Sequence, residues 1–286
     1  MSGRVSGGVS GHVSEHVSER VIDGAPLLPL LRPAWPAPAT IGAAMSLRSG
    51  GVSASPWHRL NLGHGVGDAR AAVDANRARF TAALDGAEPV WLRQVHGADV
   101  LHLTAAHVTA PTATADAAWT DRRGIACTVG AADCLPVLLA VQDGRAVAAA
   151  HAGWRGLAAG VLQATVTALC RGSGAAPQQL IAWLGPCIGP LHFEVGADVL
   201  AAFGTGAEDV DRADGVEASR FVYSPRPDGA PRWLADLPGL AQDQLAAAGV
   251  GSITASGACT FSDASRFFSF RRDSVTGRMA ACIWRR

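Results

Sequence analysis

The chain has 286 residues, 49% of them hydrophobic, with 24 basic and 24 acidic side chains and a formal net charge of zero. That balance excludes a general electrostatic pull toward nucleic acid or an anionic membrane, and no apolar run reaches membrane-spanning length. Every basic side chain is arginine, which excludes lysine Schiff-base chemistry and a phosphate-loop lysine and leaves arginine as the permanent cation for an anionic substrate. The cysteines (Cys127, Cys134, Cys170, Cys187, Cys259, Cys282) are dispersed through apolar stretches of a chain too large to need stapling, so reduced thiols and a cytoplasmic location are expected.

Residues 1–33 open on a valine at every fourth position, from Val5 to Val21, set among serine, glycine and charged residues. One valine in four cannot close a core, so a disordered tail is predicted over 1–33 and a single domain over 34–286. His12 and His16 would share a helix face, but glycines and β-branched residues disfavour that helix. The apolar run at 26–31 is too short and too broken by proline for a secretory leader. Next comes Arg48-Ser-Gly-Gly-Val-Ser53, a glycine turn whose N–H groups and arginine suit either a chain reversal or phosphate. A helix is predicted from about Ala69 to Leu84 with Asp68 as its N-cap. Val90 to Gly97 reads as a strand ending on His96, and Asp99–Leu103 as a second.

The middle is densest in signal. Strands are predicted at Ile125–Val129, Leu135–Val141 and Ala146–Ala150, with Asp133-Cys134 at one junction and His151 at the end of the last. A thiol beside a carboxylate at a strand junction is costly to bury unless both are used. A helix follows from Trp154 to about Arg171, stopped by Gly172 and Gly174. Leu180–Leu184 is a strand running into the rigid Gly185-Pro-Cys187-Ile-Gly-Pro190 loop, and 204–231 is a polar excursion. A helix from Trp233 to Ala248, a strand near Ile253 and a closing strand at Gly277–Trp284 complete the chain.

His96, Cys134 and His151 each stand at a strand end beside turn residues. Two imidazoles and a thiolate leave one position of a tetrahedral zinc ion open, the ligand count of a catalytic site. The alternative without metal uses Cys134 as nucleophile and His151 as base. A binding protein with a structural metal is a third reading.

Gln94-Val-His96-Gly, Asp133-Cys134-Leu-Pro-Val-Leu-Leu, Ala150-His151-Ala-Gly-Trp-Arg-Gly156, Gly185-Pro-Cys-Ile-Gly-Pro190, Phe193-Glu-Val-Gly196 and Phe267-Phe-Ser-Phe-Arg-Arg-Asp273 together resemble the signature stretches of the laccase-domain purine nucleoside phosphorylases, formerly called multicopper polyphenol oxidases. The resemblance covers roughly residues 45–286. It implies a single α/β domain, a mixed-sheet αββα sandwich related to the catalytic domain of a deamidating toxin. It implies a metal site at His96, Cys134 and His151, holding zinc or alternatively copper, and phosphorolysis of adenosine, inosine and methylthioadenosine with deamination of adenosine. Purine nucleosides and phosphate are the expected partners of a cytoplasmic monomer or small homo-oligomer. For phosphate the chain offers Arg48, Arg155 and Arg271, with Gln94 as a further substrate contact, and Asp133 either shuttles a proton or supports a ligand. Two positions depart from the family pattern: Ala131 stands where threonine is expected and Ser262 where a cysteine often follows Cys-Thr-Tyr, here Cys-Thr-Phe261. A copper oxidase of phenols, as the older family name suggests, would need more paired histidines than the nine present.

Overall fold

Successive side chains of a strand point to opposite faces, so the parity of each residue decides which layer it joins. The computed structural model describes residues 28–110, 112–210 and 219–286, with the strand residues 16–18, 21–22 and 25–26. The chain forms two six-stranded mixed sheets. Across the first, the strands run His16–Ser18, Leu30–Arg32, Ile41–Ser46, Met279–Arg285, Ile125–Ala131 and Glu88–Val90. Across the second they run Ser252–Ala255, Leu180–Leu184, Leu135–Val141, Val147–Ala152, Ala117–Thr120 and Val100–His102. The parallel pairings lie at sheet edges and the central ones are antiparallel.

The sheets stack face to face. Met45, Cys127, Val129, Met279, Ala281 and Ile283 of the first meet Ala118, Leu138, Ala140, Val147, Ala149 and Trp183 of the second in one apolar layer. Residues of opposite parity face outward. Ala44, Ala126, Ala280, Cys282 and Trp284 pack under Phe80 of the helix Arg70–Ala82. On the far side Leu135, Val137, Leu139, Ala148 and Ala150 pack under Leu162, Val166 and Leu169 of Val161–Ser173 and Leu245 of Leu237–Ala247. The layer order is helix, sheet, sheet, helix, as expected of the sandwich.

Several local expectations are corrected. At the end of the stretch expected as a tail, Leu30–Arg32 pairs with Ile41–Ser46 and with His16–Ser18, and its adjacent leucines serve the apolar layers on the two faces of the first sheet. Residues 1–15, with His12, lie outside the described residues, as does the side chain of His16. Asp68 does not cap the first helix. The cap position is Ala69, and the Asp68 carboxylate instead accepts from the Ser53 hydroxyl at 2.6 Å and the Asn61 amide at 2.9 Å. The strand predicted over Val90–Gly97 ends at Val90, because the backbone beyond it is drawn into the site described below. The helix after His151 is broken into Trp154–Ala158 and Val161–Ser173 by Gly160, which takes φ 87°, a left-handed value that glycine adopts freely. Trp233–Ala235 is a strand, paired with Phe221–Tyr223 from the polar excursion. The helix starts at Leu237, where Asp236 accepts the Gly239 N–H at 3.0 Å and Pro238 fits the first turn.

Gly172 does not stop its helix but lies within it, where an added Cβ would overlap the Trp119 ring of the second sheet. Gly172→Ala is therefore expected to destabilise the protein by about 1–3 kcal/mol, in spite of alanine's better helix propensity. A lower urea midpoint with an unchanged slope is the expected readout.

Candidate active site

The site begins with a cross-strand pair. His151, in strand Val147–Ala152, donates its backbone N–H to the carbonyl of Asp116 at 2.7 Å, one step beyond the ladder formed with Ala117–Thr120. Residues opposite one another on a ladder project to the same face. The Asp116 carboxylate accordingly accepts a hydrogen bond from His151 Nδ1 at 2.9 Å, with Asp116 0% and His151 3% exposed. A carboxylate only accepts, so the proton sits on Nδ1 and Nε2 is left to act.

The same carboxylate organises the second histidine. It accepts the successive N–H groups of Val95, His96 and Gly97 at 3.0, 2.9 and 2.7 Å. Folding three donors around one anion tightens the chain, and His96 takes φ 61°. Its ring stands edge-on to that of His151, with centroids 4.8 Å apart.

Cys134 completes the group by parity. It lies two residues before Pro136, the ladder partner of His151, and so shares the face of that imidazole. Its Sγ is 3.7 Å from His96 Nε2, and the ligand atoms of the three residues lie within 4.8 Å of one another. Asp133, at φ 88°, turns the chain just before it. The Asp133 carboxylate accepts from the Thr260 hydroxyl at 2.6 Å, the Ser269 hydroxyl at 3.0 Å and the Arg271 N–H at 2.7 Å, which ties the thiol's base to the 260–271 segment.

Electrostatics follow from this packing. Burial opposes ionisation of Cys134, but the charge of His151 and hydrogen bonds from His151 and His96 outweigh it and bring the thiol down to about 6. Burial also opposes the His151 imidazolium, yet the Cys134 thiolate and Asp116 raise it to about 9. For Asp116 the bonds from His151 and the loop N–H groups overcome burial and keep the carboxyl below its ordinary range.

The trio lies in a cleft of about 640 Å³. Gln94 lines it, but both ends of its amide are engaged by the backbone of Gly130, at 2.9 and 2.7 Å. Arg48, Arg155 and Arg271 do not line it. Arg48 donates to the carbonyls of Ala264 and His58 and lies over Phe268, Arg155 lies over Trp154, and Arg271 donates to the Glu194 carbonyl. The walls carry three other arginines, Arg77, Arg93 and Arg278, with Trp91 and Phe270. Arg77 donates through Nε to the Leu62 carbonyl at 2.9 Å and stacks on Trp91, and burial lowers its pKa to about 10, with Asp74 opposing. Arg93 is fixed through Nε to the Thr114 hydroxyl at 2.8 Å. Among the described residues the Nη groups of these two arginines have no hydrogen-bond partner. Phe270, 56% exposed, opens the short helix Phe270–Asp273.

The family model for multi-copper polyphenol oxidoreductase laccase matches residues 42–286. The chain belongs to this family. It is 47% identical over 254 residues to purine nucleoside phosphorylase PA4543 of Pseudomonas aeruginosa, covering 89% of this chain and 97% of that protein. Purine nucleoside phosphorylase YfiH of Escherichia coli is 44% identical over 256 residues, covering 89% and 98%. Among solved structures, Neisseria meningitidis protein NMB0706 superposes with a TM-score of 0.78 at 41% identity, covering 90% of this chain and 98% of that one.

In this laccase-family chain the trio fits a metal. Two imidazoles and a thiolate suit zinc and copper alike. The local shape agrees: at Gly153 an added Cβ would come within 2.8 Å of His96 Cδ2 and 2.9 Å of Cys134 Sγ, so the bare backbone keeps the space beside the ligand atoms clear. Among the described residues this is the only group of three or more metal-ligating side chains that converges. The sequence reading named these three and missed Asp116, Arg77, Arg93, Arg278 and Phe270. For Asp116 the available signal was a carboxylate immediately ahead of the apolar strand Ala117–Thr120.

Proposed function

We propose that this chain is a zinc-dependent purine nucleoside phosphorylase acting on adenosine, inosine and methylthioadenosine in the cytoplasm, and that it also deaminates adenosine. The observation that carries the reading is the His96–Cys134–His151 group in a cleft whose walls bear arginines and the exposed Phe270 ring. The names of the relatives support it. The cleft volume lies within the usual range for small-molecule sites. All six cysteines are free thiols, and no helix among the described residues is long and apolar enough to cross a membrane.

Phosphorolysis passes through a sugar with oxocarbenium character, and the protein's task is to bring phosphate to C1′ and steady the departing purine. Arg77 and Arg93 present guanidinium groups anchored at Nε, a preorganised pair for a phosphate oxygen. Phe270 offers an exposed flat face to the base. When bound, the metal polarises a substrate group or makes water a nucleophile at neutral pH. Asp116 holds the His151 tautomer throughout. Asp133 is assigned to positioning Cys134 rather than to proton transfer, because its carboxylate is committed to Thr260, Ser269 and Arg271.

Arg93→Ala is expected to raise KM for phosphate about ten- to a hundredfold, the loss of one charge-assisted contact, and to leave KM for the nucleoside nearly unchanged. Equal changes in both would argue against a phosphate role. The reading as a whole is tested by following adenine, inosine and hypoxanthine released from adenosine with and without phosphate, with metal content measured on the same sample. Phosphate-dependent adenine, lost in Cys134→Ala, supports it. Intact adenosine with metal-loaded protein rejects it.

One observation favours a second reading. Cys134, His151 and Asp116 also have the roles of nucleophile, base and orienting carboxylate in a cysteine hydrolase. Chelation separates the two, since it should abolish phosphorolysis and leave a thiol-dependent hydrolase active.

A further inference from the structure

A second cavity of about 350 Å³ lies behind the 185–190 loop, and both Cys187 and Cys259 line it. They are partners in an isolated parallel β-bridge, and Thr260 N–H donates to the Cys187 carbonyl at 2.9 Å. Bridge partners have Cα atoms about 5 Å apart with side chains to one face, within the span a disulfide requires. Cys259 leans along the same segment: its Sγ accepts the Gly189 N–H at 3.2 Å. Both are free thiols, Cys187 buried and Cys259 half-buried.

We propose that Cys187 and Cys259 form a peroxide-oxidisable dithiol, a covalent modification site separate from the metal group. Cys259 is the reacting partner because it is half-buried, whereas Cys187 beside it is buried. Burial opposes its ionisation, but the Ser262 hydroxyl and the N–H groups of Ser262, Gly189 and Phe261 hold it below the ordinary thiol range. Burial keeps Cys187 a thiol. The Cys259 thiolate attacks one oxygen of hydrogen peroxide; an S–O bond forms, the O–O bond breaks, and the hydroxide takes a proton to become water. The Cys187 sulfur then attacks Cys259 Sγ; the S–S bond forms, the S–O bond breaks, and the leaving hydroxide takes the Cys187 proton. Two thiols and one peroxide give one disulfide and two waters. The bridge would join the two segments that hold Asp133, since Ile188 N–H donates to the Asp133 carbonyl at 3.0 Å and the Thr260 hydroxyl to its carboxylate.

The test exposes the purified full chain to equimolar hydrogen peroxide, alkylates it, digests it without reductant and weighs the peptides. The expected result is a 187–259 cross-linked pair, two hydrogens lighter than the sum and released by dithiothreitol. Cys187→Ser should instead accumulate a Cys259 sulfenic acid that dimedone traps, and Cys259→Ser should leave Cys187 unmodified. The proposal falls if, in peroxide-treated wild-type protein, Cys187 remains fully alkylatable after denaturation, whether Cys259 has over-oxidised or has not reacted.

Discussion

Asp116→Asn is expected to lower metal affinity, titrated as zinc, by roughly ten- to a hundredfold and to destabilise the metal-free protein by about 3 kcal/mol or more. The carboxylate accepts four hydrogen bonds without exposure: three from the loop N–H groups and one from His151 Nδ1. An amide keeps one accepting oxygen and replaces the other with a donor that faces donors. At least one N–H of the His96 loop or the Nδ1–H of His151 then loses its partner in a site closed to water. Because the same group orients both histidines, the variant should loosen two ligands at once. Competition titration gives the affinity, and the urea midpoint of stripped protein gives the stability. A destabilised fold with unchanged affinity would show that Asp116 serves the loop and not the imidazole.

The legible part of the site was whatever could be inferred within one strand and its flanking turn. His151 and Cys134 announced themselves because each ends or begins an apolar run, and parity alone places both on one face once their strands pair. Asp116 stood visibly ahead of an apolar strand, but its role was illegible because it arises from the register between Ala117–Thr120 and Val147–Ala152, a relation between residues 35 positions apart. The arginines show the same limit. Arg48 sits in a glycine turn that resembles an anion loop, yet its guanidinium is spent on carbonyls of Ala264 and His58. Arg77 looks like one more polar residue on an exposed helix, yet it reaches the cleft wall because Trp91 supports it. At the level of the fold, apolar runs bounded by turn residues identified the central strands and the family resemblance implied the layer order, while the breaks at Gly160 and Asp236 depended on local backbone chemistry inside a continuous apolar pattern.

Gly153→Ala should separate the site from the fold. Gly153 has φ −67° and ψ 157°, values alanine adopts without strain, so the backbone has no reason to move. The new methyl group would nevertheless lie 2.8 Å from His96 Cδ2 and 2.9 Å from Cys134 Sγ, where carbon contacts normally begin near ~3.5 Å. Relief requires a ligand side chain to shift by roughly half an ångström or more, whereas metal–ligand distances tolerate about 0.2 Å. Metal affinity is expected to fall at least a hundredfold, with phosphorolysis falling in step, while the stripped protein loses no more than about 1–3 kcal/mol, the usual range for overpacking. Gly172→Ala is the matching control: a methyl added against Trp119, remote from the trio in contact terms, should lower stability and leave metal affinity unchanged. If Gly153→Ala binds metal as the wild type does, the ligand atoms are not held at the spacing described, and the close approach of Gly153 reflects only the packing of helix Trp154–Ala158 on the sheet. If affinity is lost with the fold intact, the absence of a side chain at residue 153 is itself part of the site.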